Sequence, residues 1–255
     1  MGAEAVGRRL LGEVEDAGLD EPPKKRTSQK LPIIELTSLG PGQGKTHLLY
    51  LITALAILPR HYDGIPLHGK ASAVIILDTD NRFSVPRLAR VAHHHITRCC
   101  VHHHGAQPTA IATDALLAAA LAHVHLLRPQ SHAALLAALR ALPAFLASRT
   151  NPSSRRPLHS VLLDSASAFF WPLRAAADAS RTASIGAQHP ASPFSAADAY
   201  AALATELGVL SARLDVAVVV TAVAASQSGG GLRPLLPPAF TGCATLRLVV
   251  AREAG

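Results

Sequence analysis

Cysteines are scarce in this sequence, and charged residues are few. The three cysteines are Cys99, Cys100 and Cys243, and two of them are adjacent. Such a set cannot supply the disulfide framework of a small secreted domain, so we expect a reducing compartment. Charged residues make up 16% of the chain and hydrophobic residues 49%, which excludes an intrinsically disordered protein.

Long hydrophobic runs are also missing. The longest, such as Leu48–Leu58, reach half of the roughly 20 residues that a membrane-spanning helix needs. The N-terminal residues carry charges early and lack the apolar core of a signal peptide. Val6 breaks the myristoylation pattern. These absences predict a soluble intracellular protein with no membrane partner.

Negative charge is the scarcer sign. The chain has 17 Asp and Glu against 24 Lys and Arg, which gives a net charge of +7. A basic chain is compatible with a nucleic-acid partner, although charge alone does not identify one. The 255 residues are enough for one α/β domain with a buried sheet.

The chain divides by composition into a short N-terminal segment and a core. Residues 1–30 are predicted to form an amphipathic helix over 4–18 and a basic linker, EPPKKRTSQK, and the core is expected to cover 31–255. Pro22, Lys25 and Arg26 in the linker match a nuclear-import patch. A solvated charged linker explains the same residues equally well.

Strand and helix patterns alternate along the core. Alternation of this kind predicts right-handed crossovers and a mostly parallel sheet with helices on both faces. The predicted strands cover 31–37, 73–77, 122–127, 160–163, 216–221 and 245–250. The predicted helices cover 45–58, 86–100, 131–148 and 196–213, and loops are expected at 102–113, 174–195 and 226–238.

The strongest local motif is SLGPGQGKTHLLY, residues 38–50, between a predicted strand and a predicted helix. This context predicts a phosphate-binding loop for ATP, in which glycines turn backbone N–H groups inward, Lys45 supplies positive charge and Thr46 offers a hydroxyl to Mg²⁺. The expected cofactor-binding residues are Gly40, Pro41, Gly42, Gln43, Gly44, Lys45 and Thr46. Leu39 occupies the place of the first glycine in G-x-x-x-x-G-K-T. The alternative is a Gly-rich turn with an incidental Lys-Thr pair.

A second motif, VLLDSASAFFW, places Asp164 at the end of a predicted apolar strand. An acid there, downstream of a phosphate-binding loop, is typical of the aspartate that holds a Mg²⁺-bound water in P-loop ATPases. Asp164 is therefore a predicted metal ligand together with Thr46. The alternative is that Asp164 caps a following helix, since Ser165 and Ser167 favour capping.

A third motif, ILDTDNRF, places Asp80 just past a predicted buried strand. We expect that strand to lie next to the strand of the phosphate-binding loop. A carboxylate at this position could orient an attacking water, which makes Asp80 a candidate catalytic residue. The alternative is that Asp78 and Asp80 cap a turn.

In combination, GKT with LLY, ILDTDNRF and LLDSASAFFW resemble the RecA-type recombinases, and among them the eukaryotic recombinase paralogues. The resemblance covers about residues 31–252. It implies a RecA-like ATP-binding core with Mg²⁺ and a role in homologous recombination and double-strand break repair in the nucleus. It also implies a hetero-oligomer with other recombinase paralogues, and DNA, single-stranded or branched, as a further partner.

Several departures from the recombinases accompany the resemblance. Recombinases have glutamate where Asp80 lies, and a polar sensor after the strand that resembles VAVVVT, where this chain has Ala222, Val223 and Ala224. These departures argue against robust hydrolysis. From the 30 residues before the core we expect the recombinases' N-terminal DNA-binding domain to be missing, and from the end soon after Arg252 we expect a shortened core.

Two segments resemble the DNA-facing loops of recombinases, and they are poor in cations. Arg174 and Arg181 lie in one and Arg233 in the other, so these arginines are the candidate DNA contacts.

The segment HHHITRCCVHHH could ligate zinc by composition, but the triplets give no fixed ligand spacing, and low-complexity drift explains them as well.

Three functional hypotheses follow. The first is an ATP-binding recombinase-like subunit that assists the strand-exchange filament. The second is a DNA-stimulated ATPase that uses Lys45, Thr46, Asp80 and Asp164. The third is a P-loop small-molecule kinase, with residues 174–195 as its arginine-bearing lid.

Overall fold

The computed structural model describes residues 32–39, 42–104, 110–148, 153, 155–184, 194–226 and 232–251. By its internal contacts the chain separates into Met1–Lys30 and Leu31–Gly255. The helix predicted over 4–18, the basic linker, Gly40 and Pro41 all lie outside the described residues.

The described residues form alternating strands and helices. The strands are β1 (Ile33–Ser38), β2 (His61–Tyr62), β3 (Ile65–Pro66), β4 (Ala73–Asp78), β5 (Val124–Leu127), β6 (Leu158–Asp164), β7 (Ala217–Ser226), β8 (Leu232–Pro234) and β9 (Leu246–Val249). The helices are α1 (Lys45–Ile57), α2 (Val85–His104), α3 (Ala110–Leu121), α4 (His132–Ala147), α5 (Phe170–Ser184), α6 (Ala196–Leu214) and α7 (Pro238–Thr241).

Seven of these strands build the central sheet. Six lie parallel in the order β5-β4-β6-β7-β1-β9, and β8 pairs with β7 in antiparallel orientation. This confirms the predicted mostly parallel α/β sheet. The expected position of β4 is wrong: β4 pairs with β5 and β6, so β6 and β7 separate it from β1. The acid-bearing ends of β4 and β6 are instead direct neighbours, with Asp78 opposite Asp164 in the register.

Each face of the sheet has its own apolar core. Successive side chains of a strand point to opposite faces, so Val161 and Leu163 of β6 pack in one cluster and Leu162 in the other. The first cluster includes residues of α4, α5, α6 and α7. The second includes residues of α1, α2 and α3. Helices therefore cover both faces, as predicted for a doubly covered sheet.

Each of the three predicted loops is wrong in part. The loop expected at 102–113 includes the end of α2 and the start of α3, and the first half of the 174–195 loop lies in α5. The loop expected at 226–238 contains β8 and the first residue of α7. α3 is composed almost entirely of Ala, Leu and other apolar residues. Such residues favour helix but give no apolar stripe for a periodicity argument to detect. Within the described ranges, no helix combines the length and apolar composition needed to cross a bilayer.

Candidate functional site

A cleft of about 270 Å³ opens where β1, β6 and β7 end. Parallel strands bring their carboxyl ends to the same edge of the sheet, and this edge is where α/β proteins bind ligands. The turn before α1, the segment after β4, the end of β6 and the end region of β7 all contribute lining residues. Lys45, Thr46, Asp80 and Asp164, which three separate sequence motifs selected, all line this one cleft.

The turn before α1 has the backbone shape of an anion cradle. Gly42 has φ +79° and Gly44 has φ +102°, which are conformations that favour glycine. Gly44 caps α1 without any side-chain hydrogen bond, and the first turn of α1 has no acidic residue. The positive dipole end of α1 therefore lies at the cleft, and no acidic residue stands in the first turn of the helix. Such a terminus is suited to phosphate.

Lys45 lies between the end of β1 and the acids of the cleft. Its ammonium donates a hydrogen bond to the hydroxyl of Ser38, the last residue of β1. Burial lowers the pKa of Lys45, while the carboxylates of Asp164 and Asp80 act in the opposite direction. A half-buried ammonium in these surroundings gains from a polyanionic ligand, because the ligand compensates the lost hydration.

Asp164 is the buried centre of the cleft. Thr46 Oγ1 donates to Asp164 Oδ2 at 2.8 Å, and Thr221 Oγ1 donates to Oδ1 at 2.5 Å. Burial raises the pKa of the Asp164 carboxyl, the two hydroxyl hydrogen bonds lower it, and the nearby Asp80 and Asp78 raise it further. The carboxylate therefore accepts from two threonines that line the cleft, which does not support the alternative of a helix cap.

The Thr46–Asp164 pair fits a magnesium ion by its chemistry. A hydroxyl and a carboxylate are oxygen ligands, and Mg²⁺ in nucleotide sites takes few protein oxygens and completes its shell with water and phosphate. Among the described residues, no group of three or more His, Cys, Asp or Glu is placed to hold a metal. The Thr46–Asp164 pair therefore suits a metal ion whose remaining oxygen ligands come from a bound phosphate and from water.

The two acids after β4 have different environments. Asp78 is fully buried and accepts from the backbone N–H groups of Arg82 and Phe83 at 3.0 and 3.2 Å. Arg128 Nε lies 3.1 Å from Asp78 Oδ2 and completes its neutralisation. Asp78 therefore caps the turn, which is the structural role that the sequence left open for it. Sequence reasoning gave no sign of Arg128, which follows a different strand.

Asp80 has the opposite environment to Asp78. It is exposed and lines the cleft, and Ser165 Oγ donates to its Oδ2 at 3.3 Å. The peptide N–H of Thr79 donates to the carbonyl oxygen of Asp164 at 2.8 Å, which ties the end of β4 to the end of β6. This link brings the two carboxylates to one site although β4 is distant from β1 in the sheet.

Several cleft residues were not expected from the sequence. Thr221 lies in β7, and its role as a donor to Asp164 depends on the β6–β7 pairing, which the sequence does not reveal. Tyr50 accepts from the backbone N–H of Ser84 at 2.9 Å through its hydroxyl. The guanidinium carbon of Arg87 lies 5.4 Å from the centre of the Tyr50 ring.

β7 continues past the predicted end at Thr221. It runs to Ser226, so Ala222, Val223 and Ala224 are strand residues rather than a following loop. Val223 lines the cleft, and its backbone N–H donates to Ser167 Oγ at 2.8 Å. An apolar side chain thus lies at the cleft, in the region where recombinases have a polar sensor.

The candidate DNA-contacting arginines lie outside the cleft. Arg174 of α5 and Arg233 of β8 line a separate cavity of about 550 Å³ with Trp171, whose side chain is 62% exposed. Arg181 forms an ion pair with Asp178 one turn away on α5. The structure therefore brings Arg174 and Arg233 together beside an exposed aromatic ring, while the charge of Arg181 is partly neutralised.

The His/Cys segment forms the C-terminal part of α2. His95 Nε2 lies 2.8 Å from the carbonyl oxygen of Leu67, and Cys100 is buried in the apolar core. No metal-holding group is found in the described part of the chain. These contacts give the segment a packing role.

Comparison with known proteins shows a similarity to a DNA repair protein. No protein-family model matches the chain. The chain is 32% identical over 130 residues to the DNA repair protein XRCC2 of Mus musculus. The matched segment covers 51% of this chain and 38% of the mouse protein, so it spans well under half of that relative's length. The similarity confirms the predicted resemblance to a RecA-type recombinase paralogue, and the sheet and its flanking helices are consistent with a RecA-like core.

Proposed function

We propose that this chain is an ATP- and Mg²⁺-binding recombinase paralogue that acts in homologous recombination and repair of DNA double-strand breaks. Its similarity to a DNA repair protein supports the role in repair and recombination. The observation that carries the nucleotide part is the hydrogen bond from Thr46 to Asp164, because it joins the turn suited to phosphate to the strand end suited to magnesium.

In the proposed binding mode, four side chains and the start of α1 contact the phosphates, hold the metal or orient the metal ligand. The N–H groups at the start of α1 and the ammonium of Lys45 bind the phosphates. Thr46 and Asp164 hold Mg²⁺, which when bound neutralises charge on the phosphate oxygens. Thr221 keeps the Asp164 carboxylate oriented toward Thr46 by its own hydrogen bond.

A DNA-stimulated ATPase is the second candidate, and Asp80 is the observation that favours it. Its carboxylate is exposed within the cleft and is held by Ser165, so it is available to orient a water. Val223 argues for slow turnover because it offers no hydrogen bond to a terminal phosphate. A small-molecule kinase has less support, since neither Arg174 nor Arg181 lines the cleft.

We infer that the chain works in the nucleus as a subunit of a complex with other recombinase paralogues. DNA contact would come from the surface of Arg174, Arg233 and Trp171, which combines two cations with an exposed aromatic ring. A base can stack on the ring while the guanidiniums contact phosphate, and neither interaction needs a particular sequence.

Titration with a fluorescent ATP analogue, with and without Mg²⁺, tests the nucleotide site. Wild type should bind in a Mg²⁺-dependent manner, Lys45→Ala should lose most of the affinity, and Arg213→Ala on exposed α6 is the matched control. Binding that is unchanged in Lys45→Ala would reject the site.

Capture of the tagged chain from nuclear extract should recover recombinase paralogues, and recovery of none rejects the complex. ATP turnover with and without single-stranded DNA separates the binding subunit from the ATPase.

A further inference from the structure

A groove between α1 and α2 is lined by basic and apolar side chains alone. Its volume is about 510 Å³, and α1 contributes two residues and α2 six. Leu51 and Val91 supply apolar surface, and Leu51 is 40% exposed. The basic side chains are His47, Arg87, Arg90, His94, His95 and Arg98.

The positive charge of this groove is not neutralised by the described part of the protein. Neither α1 nor α2 contains an Asp or Glu. Within the described ranges, no carboxylate forms an ion pair with Arg87, Arg90 or Arg98. Other arginines do form such pairs: Arg128, Arg140, Arg181 and Arg247. The groove therefore brings together three arginines that form no ion pair with a described carboxylate.

Basic side chains form a line along one face of α2. Arg87, Arg90, His94 and Arg98 are separated by three or four residues, which places them one above another on a helix. At 1.5 Å of rise per residue, the line from Arg87 to Arg98 extends over about 16 Å. Three guanidinium groups, with the imidazole of His94 among them, thus follow this face beside the apolar side chain of Leu51. A chain-like ligand with regularly spaced negative charges matches this arrangement better than a single small anion.

The groove adjoins the nucleotide cleft but is separate from the surface of Arg174 and Arg233. Arg87 and His47 line both the groove and the cleft. Tyr50 supports Arg87 at this junction through its ring. The groove shares no lining residue with the cavity of Arg174 and Arg233.

We propose that the α1–α2 groove binds the phosphodiester backbone of a nucleic acid. Guanidinium groups bind phosphate through paired N–H donors, and the apolar strip at Leu51 can contact sugars. An acidic peptide would need carboxylates placed to match this one line of cations, whereas a nucleic-acid strand carries a charge at every nucleotide. The site does not depend on nucleotide binding at Lys45, and it is additional to the surface of Arg174 and Arg233.

Fluorescence anisotropy of a labelled oligothymidine with the full chain, at increasing salt, tests the proposal. The variant R90A/R98A should bind about tenfold more weakly at low salt, and its log–log salt slope should become shallower by roughly 1.4, as expected for two lost contacts to a single strand. The matched control R60A/R213A removes the same charge from exposed positions outside the groove and should keep the wild-type slope. Wild-type slope in R90A/R98A, or an equal loss in R60A/R213A, would overturn the proposal.

Two further variants locate the effect. R90K/R98K keeps both charges and should retain the slope, whereas a slope like that of R90A/R98A would reject phosphate contact. The variant R174A/R233A should still bind oligothymidine through the α1–α2 groove. Loss of all binding in this variant would assign the nucleic acid to the surface of Arg174 and Arg233 and overturn the proposal. Unlabelled polyglutamate should compete poorly, and competition equal to that of unlabelled oligothymidine would point to an acidic protein partner and overturn the proposal.

Discussion

Thr46 and Asp164, separated by 118 residues in the sequence, are joined by a hydrogen bond of 2.8 Å between the hydroxyl and a carboxylate oxygen. Thr46 lies in the first turn of α1, and Asp164 ends β6. Thr221 of β7, the strand between β6 and β1, donates to the other oxygen of the same carboxylate. The three residues connect the turn before α1 to the acidic edge of the sheet, and the proposed magnesium site depends on this connection.

Thr46→Val tests that connection directly. The change removes the hydroxyl with almost no change of volume, so we expect ATP-analogue affinity in Mg²⁺ to fall on the order of tenfold or more while binding in EDTA changes little, since metal ligation is what is lost. Thr205→Val removes an exposed hydroxyl of α6, which donates to its own helix, and is the control. An equal loss with and without Mg²⁺ would contradict a metal role for Thr46.

Asp164→Asn should lower Mg²⁺-dependent nucleotide binding while raising the melting temperature of the protein. Burial raises the pKa of the Asp164 carboxyl above its unfolded value near 3.8. Its ionisation therefore costs folding free energy at neutral pH, and this cost disappears as the pH falls below the unfolded value. We expect Asp164→Asn to lose Mg²⁺-dependent binding yet melt a few degrees higher at pH 7, with the gain shrinking toward pH 4.

Melting curves of Asp164→Asn at several pH values, beside the exposed Asp114→Asn on α3, measure this effect. The control should show no comparable gain, because its carboxylate is solvated in the folded state. A lower melting temperature for Asp164→Asn at pH 7 would show that the threonine hydrogen bonds outweigh the cost of burial.

Arg128→Ala should destabilise the fold more than an equivalent surface change. Asp78 is fully buried while Arg128 is 49% exposed, and removal of Arg128 leaves a buried carboxylate with two backbone donors. We expect a loss of about 2 kcal/mol, below the usual range for buried pairs because the arginine is partly solvated. Arg140→Ala breaks the more exposed pair with Glu206 and should cost roughly 0.5 kcal/mol. Urea denaturation of the two variants checks the difference, and equal losses would contradict it.

Local sequence patterns selected residues that the fold brings into one cleft, but they did not identify the hydrogen-bond and ion-pair partners of those residues. Glycines before Lys45 and acids after apolar strands are local signals, because a phosphate-binding turn and a strand end are each built from consecutive residues. Thr221 reaches the cleft, and Arg128 reaches Asp78, through strand pairing across the sheet, which no local pattern encodes. The expectation that β4 borders β1 failed for the same reason: strand order depends on which crossovers pack best, and chain order does not determine it.

Helix prediction failed where composition was uniform. α3 is composed almost entirely of apolar residues, so the 3.6-residue period gave no signal there. α5 was expected to be a mobile loop because it carries few apolar residues, yet Phe170 and Ala177 anchor it in the core. In both cases tertiary packing decided the structure.

Val223→Gln tests whether the lack of a polar side chain at this position limits ATP hydrolysis in the cleft. Val223 lines the cleft from β7 and is only half-buried, so a longer polar side chain can be accommodated. Recombinases use a polar sensor in this region, and an amide placed here could hydrogen-bond a terminal phosphate. We expect ATP turnover to rise on the order of tenfold, which corresponds to about 1.4 kcal/mol of transition-state stabilisation. Val223→Leu controls for side-chain size, and turnover assays with purified variants provide the measurement. An increase in both variants, or in neither, would show that the missing polar group is not what limits hydrolysis.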